Sequence, residues 1–340
     1  TGVQTCALPI LSENLIEVKN LKTFFKTEAG IVKAVNDVSF KVKKGETVCV
    51  VGESGCGKSI TAMSIMGLVS KDTGFNDGGQ ILFENKDLLK ATDAEMRSIR
   101  GKDIAMVFQE PMSSLNPTFT IGFQVMEPLI LHEGLDKKTA RKRAIGLLEE
   151  VGIPRANEIV DCYPHELSGG MRQRVMIAMG LACKPKLLIA DEPTTALDVT
   201  IQAQILDLMR KIKSDLNTSI LLITHDLGVV AEMADYVVVM YAGKVVEEGG
   251  VMEIFKNPSH PYTKGLLKSK PIITERKEEL YSIPGQVPNP VGIPDSCYFS
   301  ERCECCKPEC KNTIPHLRLI EDNHKVACWL YEENTSKEEN

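Results

Sequence analysis

The sequence has no apolar run of about 18 residues, the length that a membrane-spanning helix needs. It also lacks an excess of positive charge, because 40 Lys and Arg face 46 Asp and Glu, for a net charge of −6. That balance argues against nucleic acid as the main ligand. Internal repeats are absent as well. Any role at a membrane is therefore expected to depend on partner proteins.

The two ends of the sequence look unlike the rest. The chain does not begin with Met, and no basic segment precedes the first short apolar stretch, which argues against a signal peptide. We expect residues 1–13 to be a non-native or disordered leader and the folded part to begin near Leu15. The polar stretch 332–340 predicts a disordered tail.

Apolar runs and helical patterns alternate over the first 250 residues. Strands are predicted at Leu15–Leu21, Ala34–Val42, Thr47–Val51, Asp103–Phe108, Leu187–Ala190, Ser219–Thr224 and Tyr236–Tyr241. Helices are predicted from Lys58 to about Leu68 and across 120–163, where Thr139–Val151 has apolar positions with a period of 3.6 residues. The alternation predicts an α/β domain over residues 14–250, with a mostly parallel sheet.

The character of the chain changes after Gly250. Closely spaced prolines interrupt the pattern, among them Pro258, Pro261, Pro271, Pro284, Pro288, Pro290 and Pro294. Proline breaks long helices and strands. A separate, small and loop-rich domain is therefore predicted over residues 251–331.

A glycine-rich octet follows the predicted strand at Thr47–Val51 and opens the helix at Lys58. It consists of Gly52, Glu53, Ser54, Gly55, Cys56, Gly57, Lys58 and Ser59, and Ile60 comes next. The glycines let backbone N–H groups approach phosphate oxygens, and the helix directs its positive end at the anion. Lys58 is expected to reach the β- and γ-phosphates, and the Ser59 hydroxyl to bind Mg²⁺.

Two adjacent acids end the predicted strand at Leu187–Ala190. The strand would bring Asp191 to its carboxyl edge, where a carboxylate suits Mg²⁺. Glu192 would stand one residue further, placed to act as a general base on water. Together with the glycine-rich octet, the pair predicts metal-assisted hydrolysis of a nucleoside triphosphate.

A second glycine-containing helix start narrows the class of protein. It comprises Leu167, Ser168, Gly169, Gly170, Met171, Arg172 and Gln173, with Ser168 as the expected N-cap. It forms a second anion site without a Gly-Lys pair. One nucleotide does not need two such sites in one chain, whereas two chains facing head to tail do.

The segment that begins at Leu167 closely resembles the signature motif of ABC ATPases, which closes over the γ-phosphate held by the other subunit. Gln109 resembles the Q-loop glutamine, which contacts Mg²⁺ and the attacking water, and His225 resembles the switch histidine. Ala196, Leu197 and Asp198 resemble the D-loop, and the resemblance implies that Asp198 lies at the seam of an ATPase dimer. Phe25, or alternatively Phe24, is the candidate for stacking on adenine.

This resemblance covers roughly residues 14–330. It implies an ABC ATPase fold, in which an antiparallel β subdomain and a helical subdomain near residues 110–175 accompany the parallel core. ATP and Mg²⁺ are the implied cofactors. The intact Glu192 and His225 argue against a regulatory module that binds ATP without turnover.

Several stretches look like the oligopeptide/dipeptide-uptake branch of the family, in the subunit called D. They are residues 57–68, residues 109–117, His260-Pro261-Tyr262-Thr263 and Ile283-Pro284-Gly285. The resemblance implies a homologous ATPase partner, two permease chains and an extracytoplasmic binding protein, with this chain at the cytoplasmic face of the membrane. Nickel or other small-solute importers share this architecture and stay open as an alternative.

The contact with a permease is not predicted by periodicity. Apolar residues after Gln109 could line a groove for a partner helix or belong to the core of the helical subdomain; they are Met112, Phe119, Phe123, Met126 and Leu129. A soluble ABC ATPase acting on ribosomes or DNA is the rival reading. Against it, the chain has one cassette and no sustained heptad run.

Six of the eleven cysteines fall in the last 44 residues. Cys297, Cys303, Cys310 and Cys328 could bind a [4Fe–4S] cluster, which some proteins similar to this one carry, and Cys305 and Cys306 are extra. The spacing is a poor match to a zinc ribbon. Zinc and unliganded thiols remain alternatives, and any centre is expected to be structural.

Overall fold

The computed structural model describes residues 13–195, 197–269 and 281–331. The strands are β1 (Asn14–Thr27), β2 (Gly30–Lys43), β3 (Thr47–Val51), β4 (Gly74–Phe83), β5 (Lys86–Asp87), β6 (Ile104–Val107), β7 (Leu187–Asp191), β8 (Ser219–Thr224), β9 (Tyr236–Tyr241), β10 (Lys244–Gly250), β11 (Arg318–Glu321) and β12 (His324–Val326). The α-helices are α1 (Lys58–Ile65), α2 (Asp93–Ile99), α3 (Pro111–Ser114), α4 (Ile121–Glu133), α5 (Lys137–Glu150), α6 (Ala156–Ile159), α7 (Gly169–Leu181), α8 (Val199–Leu216), α9 (Leu227–Met233), α10 (Val251–Lys256) and α11 (Pro261–Lys268).

The larger sheet has eight strands in the order β11-β12-β10-β9-β3-β8-β7-β6. The five strands from β9 to β6 run parallel, and β10, β12 and β11 continue the sheet antiparallel. Every residue of β3 is buried. Since side chains alternate along a strand, Cys49 and Val51 face one core while Val48 and Val50 face the other.

Different elements pack against the two faces of the larger sheet. The four-stranded antiparallel sheet, in the order β2-β1-β4-β5, contributes Ile16 and Ile81 to the core that contains Val48. Helices α4, α5 and α7 contribute Leu129 and Leu148, among others, to the core on the opposite face. The predicted α/β fold with antiparallel and helical parts is thus confirmed. Fully burying one such aliphatic side chain stabilises the fold by about 1.5–3 kcal/mol.

The carboxyl ends of β3, β7 and β8 lie at one edge of the sheet because these strands are parallel neighbours. The segments that leave this edge contain the glycine-rich octet, Glu192 and His225, respectively. Open α/β sheets bind ligands at this edge. The fold therefore brings together three motifs that are up to 173 residues apart in the sequence, as the difference between 225 and 52.

The tail packs on the ATPase part rather than standing apart from it. Strand β12 pairs with β10. The buried Glu247 of β10 accepts hydrogen bonds from the backbone N–H groups of Ser259 (2.6 Å) and His260 (2.9 Å). Its Oε1 lies 2.8 Å from Nε2 of His324. The domain division at residue 250 stays a prediction, but the two parts share a sheet and a core.

The predicted elements differ from the structure mainly at their ends. The bounds of β3, β8 and β9 are the predicted ones, whereas β1 and β2 extend further and α1 ends at Ile65 rather than near Leu68. The helical stretch 120–163 is interrupted after α4, where Gly134 adopts φ 67°. The predicted tail, 332–340, and the predicted leader, 1–13, except for its last residue, lie outside the described residues.

Candidate functional site

The glycine-rich octet forms the loop between β3 and α1. Gly57 precedes the helix with φ 98°, and a Cβ there would lie 2.4 Å from the carbonyl oxygen of Ala34. A Cβ at Gly52 would lie 2.1 Å from the carbonyl oxygen of Met240. Real Cβ atoms do not approach oxygen that closely, so only glycine fits at these two positions.

Lys58 lies at the base of this loop, almost wholly buried. Its Nζ donates hydrogen bonds to the carbonyl oxygens of Gly52 (2.8 Å) and Glu53 (3.1 Å) and lies 3.8 Å from Sγ of Cys56. Burial raises the pKa of the Cys56 thiol, against the opposing effect of Lys58. The ammonium group therefore lies inside the loop, where it can meet the phosphates of a nucleotide.

An open cavity of about 540 Å³ borders the loop. Its lining residues are Ala34, Ser54, Gly55, Gly57, Lys58, Ser59, Ile60, Gln109, Glu192, Thr195 and His225. The cavity thus joins phosphate-binding candidates to all three predicted catalytic residues.

Ser59 and Asp191 meet at the side of the cavity nearest to β7. The Ser59 hydroxyl donates a hydrogen bond of 3.0 Å to Oδ1 of Asp191. Burial raises the pKa of Asp191, and the hydrogen bond from Ser59 opposes that shift. A buried carboxylate beside a hydroxyl is an oxygen pair that fits Mg²⁺.

Glu192 is the centre of a polar network. Its Oε2 accepts hydrogen bonds from Nε2 of Gln109 (3.0 Å) and from the Thr195 hydroxyl (2.9 Å). Its Oε1 lies 3.2 Å from Nδ1 of His225. Glu192 itself adopts φ 47°, a left-handed conformation that is unusual for this residue type. The three predicted catalytic residues therefore meet at one carboxylate, which can take a proton from water.

Thr195 is the member of this network that the sequence reasoning missed. It lies three residues after Glu192, within the loop that leads to α8. A hydroxyl three residues after an acid is a common local hydrogen-bonding pattern. That spacing was the available signal.

The predicted signature motif opens helix α7. Ser168 is its N-cap, as predicted, and its Oγ accepts a hydrogen bond of 3.4 Å from the backbone N–H of Met171. Gly169 is exposed, and an added Cβ there would meet no atom within 4 Å. Gln173 is buried, and its Nε2 has no partner among the residues that the structure describes.

The signature does not contribute to the cavity at the phosphate loop. Within the described part of the chain, the residues that line this cavity do not include 167–173. The helix start of α7 is nevertheless open, since Gly169 faces free space. An accessible helix N-terminus outside its own nucleotide site is the arrangement that a second subunit requires.

The structure describes two of the three residues predicted for the D-loop. Ala196 lies outside the described residues, Leu197 is half-buried, and Asp198 is the N-cap of α8 through a hydrogen bond of 2.9 Å from the backbone N–H of Ile201. The next residue, Val199, is 82% exposed. Asp198 thus has a structural role, while its predicted position at a dimer seam stays a prediction.

The two candidate adenine-stacking rings differ in their surroundings. Phe24 is buried and makes an edge-to-face contact with Phe75 at 6.0 Å. Phe25 is half-buried, with Cε1 2.9 Å from the position of a Cβ built on Gly74. Phe25 is the more exposed of the two, so it remains the better candidate for stacking on a base.

The apolar residues predicted either to line a groove or to form core divide between the two roles. Met112, Phe119 and Phe123 are exposed by 62%, 43% and 49%, whereas Leu129 is buried and Met126 packs partly buried against the core. The rings of Phe119 and Phe123 stack at 4.6 Å.

A groove between the helical part and the sheet lies nearby. It is lined by Met66, Leu68, Arg100, Gly101, Ala105, Met106, Phe108, Ser114, Leu115, Glu127, Pro128, Leu131, His132, Met176, Met179 and Gly180. Leu131 is 72% exposed at its edge.

The thiol of Cys297 lies near those of other cysteines of the tail. Burial, then the neighbouring thiols of Cys310, Cys328 and Cys303, raise the pKa of Cys297 to about 12. Burial also raises the pKa of Cys303 to about 11. Among the residues described, however, no group of three or more His, Cys, Asp or Glu is arranged to hold a metal ion. The expected cluster therefore gains no support from this geometry.

A helix that crosses a bilayer must be both long and apolar. None of the described helices is both long and apolar enough to do so.

The loop, the acid pair and the sheet together define a P-loop ATPase. Residues 35–195 match the family model described as ABC transporter, and residues 246–310 match the oligopeptide/dipeptide transporter C-terminal region. The oligopeptide transport ATP-binding protein AppD of Bacillus subtilis is 53% identical over 324 residues, covering 95% of this chain and 99% of that protein. The dipeptide transport ATP-binding protein DppD of the same organism is 51% identical, covering 94% and 96%.

Solved structures agree with the sequence relatives. The dimeric ATP-binding cassette MJ0796, in a post-hydrolysis state with ADP and Pi, superposes with a TM-score of 0.63 at 30% identity, covering 69% of this chain and 98% of that one. The chain belongs to the ATP-binding proteins of ABC transporters, in the oligopeptide/dipeptide branch, and it is an ATPase.

Proposed function

We propose that this chain binds and hydrolyses ATP to power the import of short peptides through an ABC transporter at the cytoplasmic face of a membrane. The observation that carries the hydrolytic part is the convergence of Gln109, Thr195 and His225 on the Glu192 carboxylate beside the phosphate loop. Peptide as substrate is supported by the similarity to peptide-transport ATP-binding proteins over nearly the whole chain. The relatives named here do not favour the nickel alternative.

In the proposed reaction, Ser54 to Ser59 surround the triphosphate with backbone N–H groups, and Lys58 contributes its charge. Ser59 and Asp191 would hold Mg²⁺, which neutralises phosphate charge when it is bound. Glu192 accepts a proton from the attacking water, and Gln109 and His225 orient the carboxylate through the contacts described above.

The functional unit is proposed to be a dimer of ATPase subunits. Within one chain the signature residues are not part of the phosphate-loop cavity, and Gly169 opens to free space. A homologous partner, or a second copy in isolation, would supply its signature to this cavity and receive the signature of this chain in return. The relative MJ0796, whose solved structure is dimeric, supports this arrangement.

The groove beside Phe108 is proposed to hold a helix of a permease subunit. Phe108 lines both this groove and the pocket that contains Gln109 and Asp191. Phe108 precedes Gln109 in the chain, and Gln109 contacts the Glu192 carboxylate. A permease helix that displaces Phe108 would therefore also displace Gln109, which couples transport to hydrolysis. Two permease chains and an extracytoplasmic binding protein would complete the complex.

A [4Fe–4S] cluster held by Cys297, Cys303, Cys310 and Cys328 is a separate proposal, which rests on the presence of four cysteines in one short segment and not on their placement as ligands. No step of the reaction depends on it. Anaerobic purification followed by iron and sulfide analysis tests it. About four iron atoms per chain, lost in a Cys310→Ala variant, would support the cluster, and iron-free folded protein would refute it.

A pull-down tests the complex. The Glu192→Gln variant, tagged and supplied with ATP and Mg²⁺, is expected to recover a homologous ATPase and two permeases from gently solubilised native membranes. The matched control is Lys58→Ala, which lacks the nucleotide contact and should recover less of the ATPase partner. Recovery of ribosomal or DNA-associated proteins in place of permeases would leave the ATPase chemistry intact and contradict the transport role.

A further inference from the structure

Glu53, the second residue of the phosphate loop, is held by the C-terminal tail. Its carboxylate accepts two hydrogen bonds from the Arg302 guanidinium, of 2.7 and 3.1 Å. Its backbone N–H donates a hydrogen bond of 2.8 Å to the Tyr262 hydroxyl. Both partners come from the tail, more than 200 residues away in the sequence.

Groups of the tail and of strand β9 together hold the Arg302 side chain in place. Its side chain is 5% exposed. Nε donates to the carbonyl oxygen of Pro284 (2.9 Å), and a terminal nitrogen lies 3.2 Å from the hydroxyl of Tyr241. Its guanidinium carbon lies 5.7 Å from the ring centre of Tyr241 and 5.9 Å from that of Phe299. A guanidinium held in this way presents its two N–H groups to a carboxylate in one orientation.

The position of Glu53 affects the atoms that meet phosphate. Its carbonyl oxygen accepts a hydrogen bond from Nζ of Lys58. The loop residues that line the cavity begin at the next position, Ser54. Because the backbone N–H of Glu53 is used by Tyr262, this residue serves as the anchor of the loop rather than as part of the phosphate cradle.

We propose that Arg302 is a positioning residue for ATP, which sets the phosphate loop through its bidentate contact with Glu53. The proposal rests on the function assigned above to residues 52–59. It makes the affinity for ATP depend on a residue of the tail that does not line the cavity at the phosphate loop. The tail therefore acts on the first step of the cycle, nucleotide binding, in addition to packing on the sheet.

A double-mutant cycle tests this coupling. Arg302→Gln and Glu53→Gln are each expected to raise the Kd for a fluorescent ATP analogue about tenfold, and the double variant should be no weaker than either single one. For Arg302→Gln, the kcat at saturating ATP should stay within about twofold of the wild type, because Arg302 does not line the nucleotide cavity and Glu192 is unchanged. Arg302→Lys keeps the charge but loses the fork, and should give an intermediate Kd.

The control is Arg141→Gln, which breaks another two-pronged pair, with Asp161, at 2.7 and 2.6 Å. It should leave the Kd unchanged. If Arg302→Gln folds and lowers only the thermal midpoint, or if the two single effects add, Arg302 does not act through Glu53. If that variant does not fold, Arg302→Lys with Glu53→Gln forms the same cycle. Failure of the wild type to bind ATP would instead refute the function assigned to the loop.

Discussion

Replacing Glu192 with Gln is the most informative single change at the hydrolytic site. The amide has nearly the same shape as the carboxylate, so its oxygen can still accept from Gln109 and Thr195, and its N–H₂ can donate to Nδ1 of His225. Folding and ATP binding should therefore be little changed, with the free energy of unfolding within about 1 kcal/mol of the wild type. The amide cannot accept a proton from water, which removes the general base.

General-base catalysis contributes typically 10²- to 10⁴-fold, so kcat is expected to fall about 100- to 10,000-fold, or about 3–5 kcal/mol in activation free energy. Phosphate release measures kcat, and a fluorescent nucleotide measures Kd on the same preparation. Glu158→Gln, which alters an exposed ion pair with Arg155, is the matched control and should hydrolyse ATP at the normal rate. A Glu192→Gln enzyme with normal kcat would show that this carboxylate is not the base.

The other predictions concern nucleotide binding and stability. Lys58→Ala removes a buried ammonium bonded to two carbonyl oxygens of the loop, and should weaken ATP binding about 10- to 100-fold in an equilibrium titration. Gly52→Ala brings a Cβ to 2.1 Å from the Met240 carbonyl oxygen and should destabilise the fold by about 3 kcal/mol in urea unfolding. Gly146→Ala, on a helix with no atom near the added Cβ, should instead stabilise it by about 0.5–1 kcal/mol; equal effects at the two glycines would refute the steric argument. Burial lowers the pKa of His260 from 6.5 to about 3, so the folded state stays unprotonated while the unfolded state gains a proton below pH 6.5. Stability is therefore complete above pH 6.5 and falls as the pH is lowered, by about 2 kcal/mol at pH 5, and a His260→Asn variant should lose that dependence in unfolding experiments at both pH values.

The central parallel strands were predictable from the sequence. Runs such as Thr47–Val51 and Ser219–Thr224 are apolar on both faces and bounded by polar or glycine residues, so their pattern admits few alternatives. Strands β11 and β12 were missed because they have only four and three residues, and neither shows the alternation of polar and apolar side chains that marks a strand. Their strand conformation depends on the pairing of β12 with β10 and of β11 with β12, which no local pattern encodes.

The candidate site also contains residues that could be predicted from the sequence and residues that could not. The residues of the phosphate loop, Asp191 and Glu192 belong to motifs that are contiguous in the sequence, so they could be predicted as site residues from their pattern and their position after a buried strand. The contact between Arg302 and Glu53 spans 249 residues and joins two polar side chains that have no unusual spacing. It appears only when the fold is known. The same holds for Thr195, because its hydrogen bond to Glu192 depends on the orientation of the Glu192 carboxylate in the folded chain.

ATP hydrolysis by this chain is proposed to drive the import of peptides. Uptake of a labelled short peptide by cells that lack the gene, complemented with wild type or with Glu192→Gln, tests this most directly. The wild type should restore uptake and the variant, expressed at the same level, should not. Restored peptide uptake with both proteins, or restored nickel uptake without peptide uptake, would contradict the account.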